Sequence, residues 1–253
     1  MPDVELLDHG PVAEIRLNRV AARNALSTQL AADLVRATAA VQEKRAVVLS
    51  SAAPTVFCVG ADLKERDRMT DAEFMAQRLV FRRAFGSLVG LPVPLVAAVH
   101  GHALGGGFEL ALSCDLIVAD ETAVVGLPEV RVGIVPGGGG TQLLPRRVGY
   151  GLAADLILTG RHVPAAEAAR LGLIDRLVPA GTDRDAAIEL ATQIAANSPV
   201  AVANARNAIR RGLDVDLAAG LDIEDSAWRA TVFSDDRREG VRAFVERRRP
   251  TWP

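Results

Sequence analysis

Two glutamates are placed where they could move protons. Glu109 lies in "GHALGGGFELALSCD", Gly101 to Asp115, directly behind three glycines and among Phe108, Leu110, Ala111 and Leu112. A carboxylate in an apolar lining has a raised pKa and can do acid–base work. Glu129 lies in "GLPEV", where Pro128 stiffens the backbone just before the acid. The glycines suggest a second kind of chemistry. A strand that ends in glycine before a helix exposes unpaired N–H groups at the positive end of the helix dipole, and such a place receives anionic oxygen. This occurs twice, around Ala61 in "VGAD" and around Gly106 in "GGGF". Turned into one pocket, the two N–H groups form an oxyanion hole for a carbonyl on which charge develops. Two acids beside that hole suggest proton removal and proton delivery on one substrate.

Each feature also has a plainer reading. A lone glutamate fits an exposed helix face, and close strand–helix packing explains one glycine, though hardly three in a row. Gly101, Gly105, Gly106 and Gly107 do not form G-x-G-x-x-G, and no G-K-[ST] follows any glycine cluster, which argues against dinucleotide and P-loop sites. Gly137 to Gly140 read as a tight turn. His100 and His102 read as packing residues, and no metal-ligand cluster is visible.

The elements that must carry these residues follow from periodicity. "VAEIRLN" alternates as a half-buried strand, and "NALSTQLAADLVRATAAVQ" is helical with Ser27 as its N-cap. Then a unit recurs: "AVVLSS", "VFCVG" and a helix opened by "ADLKERDRM"; "PLVAAVHG", "HALGG" and the helix of "FELALSC"; "DLIVAD", "AVVGL" and a loop with Pro128 and Glu129. Strand, short strand, helix, repeated, predicts a coil whose stacked turns share one core. "TQLLPRRVGYGLAADLILTG" reads as another helical stretch, and "PAAEAARLGLIDRLVP" as a helix, a stop at Gly172 and a strand. From Ser198 the chain turns helical and Ala-rich. The spacing predicts a core over 1–197 and a helical region over 198–253, the latter too small to bury a core alone.

The chain has 253 residues, 49% hydrophobic and 24% charged, the composition of a globular protein. A formal charge of −2 disfavours nucleic acid or membrane as the default partner. Lys44 and Lys64 are the only lysines, and the arginine-rich "DDRREGVRAFVERRRP" reads equally as a solvated helix face or an anion-binding one. Cys58 and Cys114 suit a reduced, cytoplasmic protein. No secretory pattern or long apolar run is visible.

"FCVGADLKER", "GHALGGGFELALSCD", "GLPEVRVGIVPGGGGTQLLPRRVG" and "DDRREGVRAFVERRRP" together resemble the enoyl-CoA hydratase/isomerase (crotonase) family, over nearly the whole chain. "FCVGADLKER" and "GLDVDLAAGLDIE" look closest to methylglutaconyl-CoA hydratase-like members. The resemblance implies an α/β spiral of ββα units with a C-terminal helical trimerisation region, and a hexamer of two trimers. It implies that the N–H groups of Ala61 and Gly106 hold a thioester oxygen, that Glu109 helps activate water, and that Glu129 delivers the proton to the α carbon. Arg23 and Lys64 fall where the family often binds coenzyme A, which belongs to the substrate; no separate cofactor is implied. Having both glutamates favours an enoyl-CoA hydratase over a single-glutamate isomerase. A methylglutaconyl-CoA hydratase, a delta-isomerase and, outside the enzymes, an RNA-binding relative are the alternatives. Leu127 departs from the family's frequent glutamine, and His102 from its large apolar residue.

Overall fold

The structure is a computed structural model and describes residues 2–252. An antiparallel pair, β1 (Val4–His9) and β2 (Val12–Leu17), leads into helix α1 (Thr28–Ala40), whose N-cap Ser27 accepts from the Leu30 N–H. Three turns of a coil follow. The first holds β3 (Ala46–Ser51), β4 (Val56–Cys58), and helices α2 (Leu63–Arg66) and α3 (Asp71–Val89). The second holds β5 (Leu95–Val99), β6 (His102–Leu104) and α4 (Gly106–Leu112). The third holds β7 (Leu116–Asp120), β8 (Val124–Gly126) and a short 3-10 turn, Glu129–Val132, where a plain loop was expected. Helices α5 (Gly140–Val148) and α6 (Tyr150–Thr159), strand β9 (Val163–Pro164), helix α7 (Ala165–Arg170), strand β10 (Arg176–Val178) and helix α8 (Asp183–Ala195) complete the body.

Each turn adds one strand to each of two sheets. The larger runs β1-β2-β3-β5-β7-β10 and the smaller β4-β6-β8-β9. Pairing is parallel from β2 to β10 and along β4-β6-β8. Alternation on the central strands separates two cores. Val47, Leu49, Ala97 and Val99 face the coil's interior with Phe57, Phe108 and Leu110. Val48, Val96, Ala98 and Val118 face the other way and are covered by Ala187, Leu190, Ala191 and Ala195 of α8. A parallel sheet buried on both faces needs such continuous apolar strands.

Local chemistry sets the bounds of two helical stretches. The helix opened by "ADLKERDRM" stops at Arg66, and α3 starts afresh at Thr70, whose side chain and that of Glu73 form a reciprocal capping box. "TQLLPRRVGYGLAADLILTG" is two helices, because Gly149 takes φ 81° and ψ 162° between them. After Ser198 come α9 (Pro199–Gly212), α10 (Leu217–Val232) and α11 (Asp235–Val245). Arg206 and Arg210 of α9 both donate to Asp115, tying this region to the second turn of the coil. Arg238 and Arg248 of the basic C-terminal run pair with Asp235, Glu239 and Glu246. Both cysteines are buried and free, and burial pushes the Cys58 thiol up to about 12. Among the described residues, no helix is long and apolar enough to cross a membrane, and no three His, Cys, Asp or Glu side chains gather as a metal site.

Candidate active site

The three glycines before α4 serve three different purposes. Gly105 takes φ 53°, and a Cβ there would lie 3.1 Å from Glu129 Oε1, so only glycine lets the backbone pass that carboxylate. Gly106 opens the helix, and its N–H has no intrahelical acceptor. Gly107 packs: a Cβ would lie 2.1 Å from the Cys58 carbonyl oxygen. This last contact holds the second turn of the coil flush against β4.

The matching place in the first turn is Gly60-Ala61. Leu26 donates to the Gly60 carbonyl at 2.8 Å and accepts from the Asp62 N–H at 2.9 Å. Extended backbone alternates the direction of its N–H groups, so that of Ala61, between them, faces away from Leu26. A Cβ on Gly60 would lie 3.5 Å from the Gly106 nitrogen, so the two turns touch here. Ala61 and Gly106 line one cavity of about 770 Å³.

Glu109 and Glu129 line the same cavity. Glu109 is 3% exposed, and one of its oxygens, Oε1, accepts the N–H of Gly138 at 2.7 Å and of Gly140 at 2.8 Å. The glycine run therefore does more than turn. Gly139 makes the turn with φ 118°, while its neighbours donate to the carboxylate. A Cβ on Gly138 would lie 2.5 Å from the Phe85 ring, and on Gly140 3.0 Å from Glu109 itself. Burial raises the Glu109 pKa, against the pull of these N–H groups and of Arg78.

Glu129 is 9% exposed and begins the 3-10 turn. Its Oε2 is buried without a hydrogen-bond partner among the described residues. Burial first, and the neighbouring Glu109 charge second, push its pKa up to about 7. The two acids thus differ: one is held by backbone donors, and the other is poised to carry a proton at neutral pH.

Much of the rest of the wall is apolar, with Leu26, Phe74, Phe81, Phe85, Ile134 and Pro136 among its residues, and Arg66, Arg78, Arg131 and His162 also line it. Over residues 8–253 the chain matches the model of the enoyl-CoA hydratase/isomerase family. The protein belongs to that family. It is 44% identical over 248 residues to the human mitochondrial enoyl-CoA hydratase domain-containing protein 2, covering 94% of this chain and 84% of that one. It is 40% identical over 248 residues to human mitochondrial methylglutaconyl-CoA hydratase, covering 95% and 73%. A solved structure of an enoyl-CoA hydratase from Bacillus anthracis superposes with a TM-score of 0.96 at 40% identity, covering 99% of this chain and 98% of the other.

In this hydratase/isomerase the four central residues named from the sequence, Ala61, Gly106, Glu109 and Glu129, meet at one cavity. Arg23 and Lys64 do not line it. Both are exposed nearby: Arg23 takes φ 53° three residues before Leu26, and Lys64 sits in α2, which Asp62 caps. Leu127 is fully buried and its Cδ1 fills the space beneath Gly140, 2.8 Å from where a Cβ would stand. His102 is part-buried in β6, and its Nδ1 has no partner among the described residues. Sequence reasoning missed Arg66 and Arg78, which line the cavity, Arg78 with its guanidinium carbon 3.8 Å from where a Cβ on Gly137 would stand. Phe74, Gln77 and Phe81 recur at helical spacing, a signal that one face of α3 is turned inward.

Proposed function

We propose that the protein adds water across the trans-2 double bond of an acyl-CoA thioester. The observation that carries this reading is the pair of raised-pKa carboxylates, one fixed and one near 7, in a cavity bordered by two backbone donors. In the reaction, the Ala61 and Gly106 N–H groups receive the thioester oxygen as negative charge develops on it. Glu109, oriented through Oε1, takes a proton from water, whose oxygen bonds to the β carbon. Glu129 gives its proton to the α carbon. One water is consumed, and the two acids end with exchanged protonation, restored through solvent before the next turnover. Coenzyme A enters as part of the substrate, with Arg23 and Lys64 assigned to its phosphates at the rim.

A second reading, hydration of a methylglutaconyl-type thioester, is favoured by the similarity to a hydratase of that name. Initial rates with crotonyl-CoA, a long-chain enoyl-CoA and methylglutaconyl-CoA test both. No hydration of any of them overturns the reading, and double-bond migration in its place assigns an isomerase. We further propose that the segment from Ser198 onward is the oligomerisation region, assembling trimers and a hexamer. Ile209, Leu213, Leu217 and Trp228 are each more than half exposed there.

A further inference from the structure

Arg66 occupies an unusual position. Its guanidinium lies over the Phe74 ring at 4.8 Å and the Phe81 ring at 5.3 Å, inside the cavity. Its Nε donates to Gln77 Oε1 at 3.1 Å. Gln77 is itself buried, and its amide nitrogen donates to Thr28 Oγ1 at 2.9 Å and to Glu65 Oε2 at 3.1 Å. Glu65 in turn accepts the Thr28 N–H. Helices α1, α2 and α3 thus combine to fix one edge of the guanidinium.

The other edge is unclaimed. Neither Nη makes a hydrogen bond or ion pair among the described residues, although Arg66 is half-buried. Every other half-buried arginine except Arg45 has a carboxylate within ion-pair reach, and Arg45 donates to a backbone carbonyl. The carboxylates of Glu65, Glu109 and Glu129 lie near enough to Arg66 to favour its charge, but none of them is in hydrogen-bond or ion-pair contact with either Nη. Arg78, on the same side of the cavity, adds a second guanidinium. Desolvating a cation and aligning its free edge without a partner is costly unless an anion arrives.

We propose that Arg66, held in place by Gln77, is a specificity-determining residue that receives a carboxylate at the far end of the acyl chain. The preferred substrates are then enoyl thioesters of dicarboxylic acids. This rests on the reading of the cavity as an acyl-CoA site, and its test is made independent of turnover. Glutaryl-CoA carries the terminal carboxylate, and 5-methylhexanoyl-CoA replaces it with an isopropyl group of similar shape; neither has a double bond to hydrate. Calorimetric binding of both to the full protein gives a preference ratio. Wild type should favour glutaryl-CoA by at least about tenfold, the low end for a charged hydrogen-bonded pair. Arg66→Met should bring the ratio close to one, Arg66→Lys should restore part of it, and Gln77→Leu should lower it by loosening the fork. Circular dichroism establishes that each variant is folded.

A ratio near one in wild type, or a ratio unchanged in folded Arg66→Met, overturns the proposal. So does equal weakening of both ligands in Arg66→Met together with a displaced pH–rate profile, which would assign Arg66 to the glutamates. If wild type binds neither thioester, the acyl-CoA reading falls as well. If it binds both and hydrates no enoyl-CoA, only the hydration reading falls, and the binding ratio still decides the role of Arg66.

Discussion

Glu109 and Glu129 have the same side chain in different surroundings, and the proposed hydration gives them different tasks. Replacing either by glutamine keeps its size and removes its proton transfer, so each variant should lose crotonyl-CoA hydration by at least about 100-fold in a steady-state assay. Full hydration by Glu109→Gln with loss in Glu129→Gln would instead indicate single-acid, isomerase-type chemistry. Glu129 also carries a stability cost. Its folded pKa of about 7 lies above the ordinary carboxylate value of 4.5, so the folded state binds its proton more tightly. The cost is absent below pH 4.5 and grows as pH rises through about 7, reaching about 3 kcal/mol. Glu129→Gln should therefore gain little on wild type at pH 4.5 and most at pH 8, read by urea unfolding at the two pH values. The identities of these acids were legible because carboxylates stand out in apolar sequence. The donors to Glu109 were not, because Gly138 and Gly140 are separated from it by 29 and 31 positions. No local pattern announces such a contact.

The strands of the coil were legible for the reason they are stable: apolar runs buried on both faces leave little choice of structure. The break between α2 and α3 was legible too, in "TDAE", a capping box at Thr70 and Glu73. It is overlooked if helical periodicity is read without its start signals. What sequence could not give is how closely turns approach. Gly107→Ala would drive a Cβ to 2.1 Å from the Cys58 carbonyl, with backbone on both sides. The turns would have to separate, and we expect a loss of at least about 3 kcal/mol in chemical denaturation, or no soluble protein. A second device joins elements through His100. Its Nδ1 meets the Asp183 carboxylate at 3.0 Å and its Nε2 the Ala53 carbonyl at 2.7 Å, so both ring nitrogens face acceptors. Burial opposes the charge, but these acceptors outweigh it and raise the pKa above 6.5. The clasp between the β3–β4 connection, the end of β5 and α8 should be complete below pH 6.5 and weaken as pH rises through the raised value. His100→Gln should destabilise the protein by about 1 kcal/mol at pH 6 and by less at pH 9, measured by thermal melts at both.

At the scale of the molecule, the body has two well-covered cores and the last helices do not. Phe233 is 79% exposed and Leu217 equally so, an arrangement that isolated globular surfaces seldom tolerate in such density. Wild type should sediment as a trimer or hexamer at micromolar concentration. Ile209→Glu combined with Leu217→Glu should shift it toward monomer while leaving the far-ultraviolet circular dichroism helical. A monomeric wild type would sink the oligomer.

In the six-stranded sheet, strand order after the first pair follows chain order: β2, β3, β5, β7, β10. Each parallel strand therefore docks on one that a ribosome has already released, and no turn of the coil waits for a later one to supply its edge. Synthesis and assembly can proceed in the same direction. The exception is chemical. Glu109 has emerged well before the glycines that hold it, and until residue 140 arrives its carboxylate has neither of its backbone donors. A chain halted just before residue 140 would hold the three turns of the coil with Glu109 still lacking both donors, while β10 and α8 had yet to complete the large sheet and cover its outer face.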